Sequence, residues 1–357
     1  MTIVFDIDDT LCDNNGRDYE NAIPFTSVIS KINHLHDDEN IRIVLYTARG
    51  MKSCEGNIEK IKEKNEKILI TWLKQHDVHY DELVFGKPLG DVYVDDKCME
   101  VREFLNSDFH TLNGGSNLSI YRLGRYVIKD LGSHEKTLSF KKWMKESKDM
   151  CHTPHVVSYL YNEVYLDFIE GKSLVESLTP ENFINLLTII SSFKEKKYSH
   201  FNIETLIERV KKNSDDKLFD KVQFCVKKLY EYKDFLKENA SFCHGDCTLS
   251  NIINHNNELY FLDENWYEDA SSYLLDFGKL RCSFQNYEYV FNISNTKNSN
   301  YLKMFDDYLK LLNIYEIVVL LEYMWFIRMY NYKSDEDKNK VIKMLEIIEQ
   351  EQGWKIN

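Results

Sequence analysis

The sequence lacks several patterns that would assign it to a common class of site. Its eight cysteines form no CxxC pair, and the spacing of Cys243 and Cys247 fits no common zinc site. It also has no GxxxxGKS or GxxxxGKT phosphate-binding loop, no internal repeat and no low-complexity tract. These absences argue against a disulfide framework, a repeat architecture and a P-loop nucleotide site, and we expect the thiols to be reduced.

Positive charge is also scarce. The chain has 45 Lys and Arg against 58 Asp and Glu, which gives a formal net charge of −13. Because nucleic-acid binding requires clustered basic residues, we expect no nucleic-acid partner. The 43% hydrophobic and 29% charged residues are typical of a globular chain, and 357 residues are enough for two or three domains.

Long apolar runs without charge are missing. The start, MTIVFDIDDT, becomes acidic before any long apolar stretch, so we expect no secretory signal. The most apolar late segment, residues 314–330, is interrupted by Glu316, Glu322 and Arg328, which predicts a buried helix rather than a membrane span. We therefore expect a cytoplasmic protein without a membrane partner.

The first third of the chain repeats one strand pattern. The runs at 2–7, 41–50 and 91–96 are apolar and end in polar residues, and 56–78 between the last two predicts a helix. This alternation predicts an α/β domain with a parallel sheet, which binds ligands beyond the carboxyl ends of its strands. The residues spaced for one buried helical face are Ile58, Ile61, Ile68, Trp72 and Leu73.

Two carboxylates stand at the end of the first predicted strand. Asp6 and Asp8 are two residues apart, so their side chains point to the same side of an extended chain. One carboxylate can attack phosphorus, and the other can protonate the leaving oxygen and later activate water. Because two acids repel a phosphate, the arrangement requires a hard cation, and Mg²⁺ with oxygen ligands fits best.

Polar residues at the other strand ends extend this site. Asp95 is the natural further Mg²⁺ ligand, while Thr47 can donate a hydrogen bond and Lys87 a charge to phosphoryl oxygens. Arg17 and Arg49 suit either a contact with the distal part of a substrate or a structural ion pair. Together these residues predict a phosphomonoester phosphatase that works through an aspartyl-phosphate.

Residues 1 to about 110 resemble the haloacid dehalogenase superfamily of phosphatases through DIDDT, YTARG, GKP and VDD. The stretch after Asp8 is too short for a cap domain, and DYENAIPF and FGKP are similar to small capless phosphatases associated with capsule biosynthesis. The resemblance implies a Rossmann-like parallel sheet with helices. It implies the nucleophile Asp6, the acid/base Asp8, the phosphate binders Thr47 and Lys87, and the Mg²⁺ ligands Asp6, Asp8 and Asp95.

The remainder of the chain begins after a lapse in periodicity at 105–117, which we interpret as a domain boundary. Residues 118–130 predict two strands joined by a turn at Gly124, and 162–174 predict a strand that leads into a glycine turn. From 175 the pattern is mainly helical up to a loop at 243, and it is helical again from about 300.

The loop CHGDCTLSN carries a second set of chemical groups. Asp246 and Asn251 have the H-x-D-x-x-x-x-N spacing of a kinase catalytic loop, and an apolar strand follows that ends in Asp263. Phosphoryl transfer from ATP needs a group that orients the acceptor hydroxyl, ligands for Mg²⁺ and a cation on the donor phosphates. Lys129 is the candidate for this cation, with Lys136 as the alternative.

Residues from about 113 to 340 resemble the aminoglycoside phosphotransferase and choline kinase family, most strongly at LDFIEGKSL, CHGDCTLSNII, FLDENW and DFGKL. The resemblance implies a bilobal, protein-kinase-like α+β domain with ATP and Mg²⁺ as cofactors. The implied residues are the base Asp246, the Mg²⁺ ligands Asn251 and Asp263, the ATP-binding Lys129 with its helix partner Glu135, and the adenine-binding hinge around Asp167 and Ile169. Asp276 is expected to brace the catalytic loop.

We expect three segments: a phosphatase domain at 1–110, a small lobe with hinge at 111–172, and a helical large lobe at 173–357. The favoured function is a bifunctional cytoplasmic enzyme that phosphorylates a sugar or sugar phosphate and removes an older phosphate, in synthesis of surface-polysaccharide (capsule) precursors. Its partners would be small phosphorylated and hydroxylated molecules.

Three alternatives remain open. The kinase can act on choline or ethanolamine, because the segment 263–273 offers acids and aromatic rings for a cation. The same acids suit an aminoglycoside. In the third alternative, one half of the chain is a non-catalytic regulatory module.

Overall fold

The computed structural model describes residues 1–14, 18–37, 41–88, 98–106, 109–112, 120–160, 162–212 and 216–356. The strands are β1 (Thr2–Asp6), β2 (Cys12–Asp13), β3 (Ile23–Pro24), β4 (Arg42–Thr47), β5 (Glu82–Phe85), β6 (Phe109–Leu112), β7 (Ile120–Leu123), β8 (Tyr126–Asp130), β9 (Val156–Leu160), β10 (Glu163–Asp167), β11 (Lys172–Ser173), β12 (Ile252–His255) and β13 (Glu258–Phe261).

The α-helices are α1 (Thr26–His36), α2 (Ile58–Gln75), α3 (Val101–Asn106), α4 (His134–Ser147), α5 (Leu174–Ser177), α6 (Pro180–Ser192), α7 (Ile203–Lys211), α8 (Phe219–Glu231), α9 (Lys233–Glu238), α10 (Tyr273–Phe284), α11 (Tyr287–Val290), α12 (Leu302–Leu311), α13 (Tyr315–Met329) and α14 (Asp335–Gln352). None of the described helices is long and apolar enough to cross a membrane.

The chain forms two compact units. The first contains Met1–Asp130 and Glu163–Leu166, and the second contains Leu131–Asn162 and Asp167–Asn357. Each unit has its own buried apolar core.

The first unit contains a parallel sheet with the order β1-β4-β5. The predicted strands at 2–7 and 41–50 are confirmed, since they contain β1 and β4. The third strand of the sheet is β5, which the pattern did not predict. The strand predicted at 91–96 lies outside the described residues.

The helix predicted over 56–78 is α2, which begins after Asn57, whose side chain accepts a hydrogen bond from the Lys60 backbone N–H at 3.1 Å. Its predicted face is partly wrong, because Ile58 is 37% exposed. The residues that α2 buries are Ile61, Asn65, Leu69, Trp72 and Leu73.

Strands β6, β7, β8 and β10 lie side by side in that order in the first unit. The predicted turn between β7 and β8 is confirmed, and Gly124 there has the positive φ of +59° that favours glycine. Strand β6 lies within 105–117, a segment that was expected to have no regular structure.

The second unit is mainly helical, as predicted. Every residue of α10 is buried, and α10 packs on α13, which is the predicted buried helix of 314–330. The helices approach closely at Gly278, where an added Cβ would lie 2.8 Å from the Cβ of Leu321. Arg281 of α10 pairs with Asp306 at 2.8 Å and with the buried Glu322. These two carboxylates compensate the buried charge of Arg281.

Candidate active sites

The first candidate site lies at the carboxyl end of the parallel sheet in the first unit. Asp6 is the last residue of β1, and Thr47 is the last residue of β4, the strand paired with it. Lys87 follows β5 by two residues, and its backbone N–H donates to the Thr47 carbonyl oxygen at 3.1 Å. Because the carboxyl ends of parallel strands lie on the same side of the sheet, residues far apart in the sequence come together here.

Asp6 and Lys87 form an ion pair in this site. The Lys87 Nζ lies 2.6 Å from Asp6 Oδ2, and the side chains are 16% and 31% exposed. Thr47 is buried, and its Oγ1 accepts a hydrogen bond from the Arg49 N–H at 3.0 Å. The arrangement places one carboxylate, one ammonium group and one hydroxyl at the carboxyl end of the sheet, where Asp6 and Lys87 are partly exposed and Thr47 is buried. Groups of these kinds can bind and attack a phosphate.

Asp8 is held by Arg49. Nη2 of Arg49 lies 2.9 Å from Asp8 Oδ1, and Nε donates to both carboxylate oxygens at 3.0 and 3.1 Å. The Arg49 side chain is 1% exposed and lies over the Tyr19 ring. Of the two roles open for Arg49, the structure therefore places it in an ion pair with Asp8 that fixes the position of this carboxylate. The predicted residues Asp95 and Arg17 lie outside the described residues.

The second candidate site is the loop 243–251 of the second unit. The Asp276 carboxylate accepts hydrogen bonds from the backbone N–H groups of His244 at 2.8 Å and Gly245 at 2.7 Å. Burial raises the pKa of Asp276 to about 7, although the two backbone donors act in the opposite direction. The prediction that Asp276 braces the loop 243–251 is confirmed.

Gly245 lets this loop pass close to the segment that follows Asp263. Its φ is +83°, and an added Cβ would lie 2.2 Å from the carbonyl oxygen of Asn265. The Asn265 N–H in turn donates to the His244 carbonyl oxygen at 3.0 Å. Only glycine fits a position with both a positive φ and a backbone contact this close.

Gly245→Ala is therefore expected to lower the free energy of unfolding by about 2–5 kcal/mol, since left-handed strain and a backbone clash add. Gly353→Ala is the matched control, because Gly353 has a φ of +63° but no atom within 4 Å of an added Cβ. We expect the control to lose about 1 kcal/mol. Urea unfolding of both variants measures the difference, and equal losses would show that the Gly245 contact does not constrain the loop.

Asn251 and Asp263 flank the hairpin of β12 and β13. Ile252 pairs with Phe261, and the Leu262 N–H donates to the Asn251 carbonyl oxygen at 2.8 Å, so the two flanking residues lie at the same end. Asn251 Nδ2 donates to the Asp246 carbonyl oxygen at 3.0 Å and to its Oδ2 at 3.1 Å. Asp263 has a φ of +58°, an uncommon conformation that is often found at functional residues.

The donor set suits a hard divalent cation. The Asn251 amide nitrogen donates a hydrogen bond to Asp246, so the amide oxygen points away from Asp246. Asp263 adds a carboxylate at the same end of the hairpin. Oxygen ligands of this kind are those that Mg²⁺ prefers. The residues present therefore fit Mg²⁺.

Lys279 is a site residue that the sequence analysis missed. Its Nζ lies 3.1 Å from Asp246 Oδ1, and the side chains of Lys279 and Asp246 are 10% and 30% exposed. Burial lowers the pKa of Lys279, but Asp246, Tyr287 and Cys282 together outweigh burial, so the pKa of Lys279 is raised overall. A signal was present, because Lys279 is three residues after Asp276 and so lies on the same helix face.

The remaining predicted ATP-binding residues are distributed over β8, α4, β10 and the loop after β10. Lys129 is in β8, and Glu135 is exposed in the first turn of α4. Asp167 ends β10, and its Oδ2 lies 3.3 Å from His155 Nδ1. Ile169 lies in the half-buried loop that follows.

The acids proposed for an amino-alcohol or aminoglycoside site have other partners. Glu268 pairs with Lys142, and Asp269 accepts a hydrogen bond from Thr205 Oγ1 at 2.7 Å. Tyr267 lies against the Arg209 guanidinium, whose carbon is 3.6 Å from the ring centroid.

Comparison with known proteins identifies the fold of the larger part of the chain. No protein family and no curated protein sequence matches it. It is similar to the apo structure of a thermostable mutant of aminoglycoside phosphotransferase APH(4)-Ia, with a TM-score of 0.51 and 11% identity over 70% of this chain and 96% of that chain.

Two further solved structures are similar to parts of the chain. Choline kinase LicA from Streptococcus pneumoniae is 15% identical over 70% of this chain and 95% of that chain, with a TM-score of 0.46. A structural-genomics target from Vibrio cholerae is 35% identical over 30% of this chain and 89% of that chain, with a TM-score of 0.29.

The similarity to APH(4)-Ia shows that most of this chain has an aminoglycoside-phosphotransferase-like fold. The predicted kinase-like fold is therefore confirmed. At 11% identity the comparison concerns the fold alone. The haloacid dehalogenase resemblance of residues 1–110 stays a prediction.

Proposed function

We propose that the second unit is a kinase that transfers the γ-phosphoryl group of ATP to a hydroxyl group of a small molecule. One observation carries the proposal: Asp246 is partly exposed on a loop braced by Asp276, and Asn251 is bonded to it at 3.1 Å. The aminoglycoside-phosphotransferase-like fold supports the same reaction.

In this mechanism Asp246 accepts a hydrogen bond from the acceptor hydroxyl and orients its oxygen toward the γ-phosphorus. The new O–P bond forms as the bond to ADP breaks, and the hydroxyl proton passes to Asp246. Because Asp276 fixes two successive peptide groups, through the N–H groups of His244 and Gly245, Asp246 needs little rearrangement to react.

Asn251 and Asp263 would hold Mg²⁺, which neutralises charge on the phosphates of ATP when it is bound. Within the second unit, the backbone around Asp167 and Ile169 is proposed to bind adenine. The roles of Lys129 and Glu135 on the phosphates of ATP stay predictions, because Lys129 belongs to the first unit and Glu135 to the second. The cytoplasm, where thiols stay reduced, is the compartment that we propose, since all eight cysteines are free.

The test is the thermal stability of the full chain with Mg²⁺ and ADP. At a hundred times the dissociation constant, binding stabilises by about 2.7 kcal/mol, which raises Tm by about 5–10 °C for a unit of this size. Asp263→Ala is expected to lose this shift. The control Asp307→Ala, exposed on α12, is expected to keep it. If no nucleotide shifts the wild type, the second unit is a non-catalytic module and the proposal is wrong.

A second function is proposed for the first unit, namely hydrolysis of phosphate monoesters. It is favoured by the meeting of Asp6, Asp8, Thr47 and Lys87 at one sheet edge. Asp6 would attack phosphorus and form an aspartyl-phosphate while Asp8 protonates the leaving oxygen. Water activated by Asp8 would then release phosphate.

The two activities fit one chain when they act at different hydroxyl groups. The kinase would add a phosphate at one position of a sugar phosphate, and the phosphatase would remove the older phosphate from another. The product, a differently phosphorylated sugar, would serve the synthesis of surface-polysaccharide precursors. Conversion of one hydroxyl back and forth, without a bisphosphate intermediate, would contradict this order of reactions.

A further inference from the structure

Four cationic side chains of the second unit lie around shared aromatic rings, and one of them, Lys279, pairs with the candidate base Asp246 at 3.1 Å. We call Arg209, Lys279, Arg328 and Lys333 the cation cluster. The Arg328 guanidinium lies 3.9 Å from the Trp325 ring centroid, and Lys279 Nζ and the Arg209 guanidinium lie 5.0 and 5.9 Å from the same ring. Lys279 and Lys333 also share one ring, that of Tyr287, at 5.2 and 5.7 Å.

The cluster holds more positive than negative charge. Lys279 pairs with Asp246, whereas Arg209, Arg328 and Lys333 have no carboxylate within ion-pair distance among the described residues. Asp246 and Asp337 are the carboxylates whose charges act on these three cations, and Asp337 is bonded to Lys340 at 2.7 Å. Nη1 of Arg328 is buried and has no hydrogen-bond partner in the described part of the chain.

This excess of positive charge destabilises the fold unless an anion binds. Burial and the neighbouring Arg209 lower the pKa of Arg328 to about 9, and burial lowers the pKa of Lys333 as well. A buried cation without a partner destabilises a fold, so residues of this kind are typically retained for function. Arg209, Arg328 and Lys333 are all half-buried, so a ligand can reach them.

The aromatic rings of this region are unsuited to a cationic substrate. The Arg209 guanidinium covers one face of Tyr267 and the Arg328 guanidinium covers one face of Trp325, so these ring faces are closed to a quaternary ammonium group. A choline or aminoglycoside cation placed beside Asp246 would meet the like charges of Lys279, Arg209 and Arg328.

We propose that the cation cluster binds an oxyanion of the acceptor, so that the kinase phosphorylates a hydroxy compound that already carries a phosphate or a carboxylate. This inference rests on the proposed kinase function, because it uses Asp246 as the base. With the oxyanion on Arg209, Arg328 and Lys333, a hydroxyl of the same molecule reaches Asp246. The products are ADP and an acceptor with two anionic groups.

Binding is measured first, without reaction, by calorimetry in the Asp6→Asn background, so that the first unit does not hydrolyse the probes. The probes are glucose 1-phosphate, glucose 6-phosphate, glucuronate, glucose and choline. We expect the phosphates or glucuronate to bind, and glucose and choline to bind at least about tenfold more weakly, since each charge-assisted hydrogen bond contributes a factor of about 10 to 100. If only the two sugar phosphates bind, the oxyanion that the cluster recognises is a phosphate. If glucuronate binds as well, the cluster accepts a phosphate or a carboxylate.

Arg328→Met and Lys333→Met are expected to weaken binding of the anionic probe by about tenfold or more. Lys297→Met is the matched control, because Lys297 lies 4.2 Å over the Tyr289 ring, as Lys333 lies 4.4 Å over Phe291, but Lys297 is outside the cluster. Arg328→Met is expected to keep or raise Tm, since it removes an uncompensated charge. A merely structural role for Arg328 predicts the opposite, a lower Tm with unchanged binding.

Steady-state kinetics separates this inference from the kinase proposal. We expect Arg328→Met to raise the KM for the anionic acceptor and to leave the KM for ATP unchanged. A raised KM for ATP alone would assign the cluster to the donor phosphates and overturn the inference, as would equal binding of glucose and glucose 6-phosphate. If the anions bind through the cluster but no probe yields ADP, the kinase proposal fails while the binding site stands.

Discussion

Replacing Asp246 by Asn is expected to reduce phosphoryl transfer by about 10²–10⁴-fold, the contribution typical of a general base. Asparagine can still accept a hydrogen bond from the hydroxyl, but it cannot take up the proton. The amide would also lose the ion pair with Lys279, whose Nζ lies 3.1 Å from the carboxylate in the wild type. Formation of ADP that depends on an acceptor measures the effect.

The loss must be separated from a loss of structure. Stabilisation of Asp246→Asn by Mg²⁺ and ADP is expected to stay close to that of the wild type, because Asn251 and Asp263 supply the proposed Mg²⁺ ligands. Asp307→Asn, on the exposed face of α12, is the matched control and is expected to retain full activity. An Asp246→Asn rate within tenfold of the wild-type rate would show that another group accepts the proton.

Asp6→Asn is expected to reduce hydrolysis of phosphate monoesters by at least about a thousandfold, since the amide cannot form the covalent aspartyl-phosphate. In the wild type, Asp6 Oδ2 lies 2.6 Å from Lys87 Nζ. The substitution removes this negative partner of Lys87, so binding of the phosphate substrate is expected to persist or strengthen. The measurement is release of inorganic phosphate from p-nitrophenyl phosphate with Mg²⁺.

The control for the first unit is Asp77→Asn. Asp77 is 89% exposed and has a φ of +51°, a conformation that asparagine tolerates as well as aspartate does. We expect this variant to keep phosphatase activity, and both variants to keep acceptor-dependent ADP formation. Phosphatase activity that survives in Asp6→Asn would rule out Asp6 as the nucleophile.

Local patterns predicted much of this fold and of its sites. Strands β1 and β4 could be predicted because they are continuous apolar runs. The bracing role of Asp276 could be predicted because Asp276 lies in a segment that resembles kinase-like enzymes. Strand β5 has only four residues, which is too short for a periodicity signal. The buried face of α2 was predicted in part, because the exposure of Ile58 depends on its surroundings in the fold.

The cation cluster could not be predicted from the sequence. Arg209 comes from α7, Lys279 from α10 and Arg328 from α13, so more than a hundred residues separate the first from the last. No linear motif joins them, and each alone is typical of a solvated helix surface. Their proximity follows from helix packing around Trp325, which only the folded chain displays.

The proposed transfer of phosphate to a hydroxyl group by the second unit can be followed by phosphorus NMR. The sample is the Asp6→Asn chain with Mg²⁺, ATP and a mixture of sugars, sugar phosphates, sugar acids and amino alcohols. We expect a new phosphomonoester resonance that grows as ATP becomes ADP, arises from an anionic acceptor and is absent in the Asp6→Asn, Asp246→Asn double variant. Unchanged ATP, or the same slow hydrolysis in both proteins, would contradict this proposal.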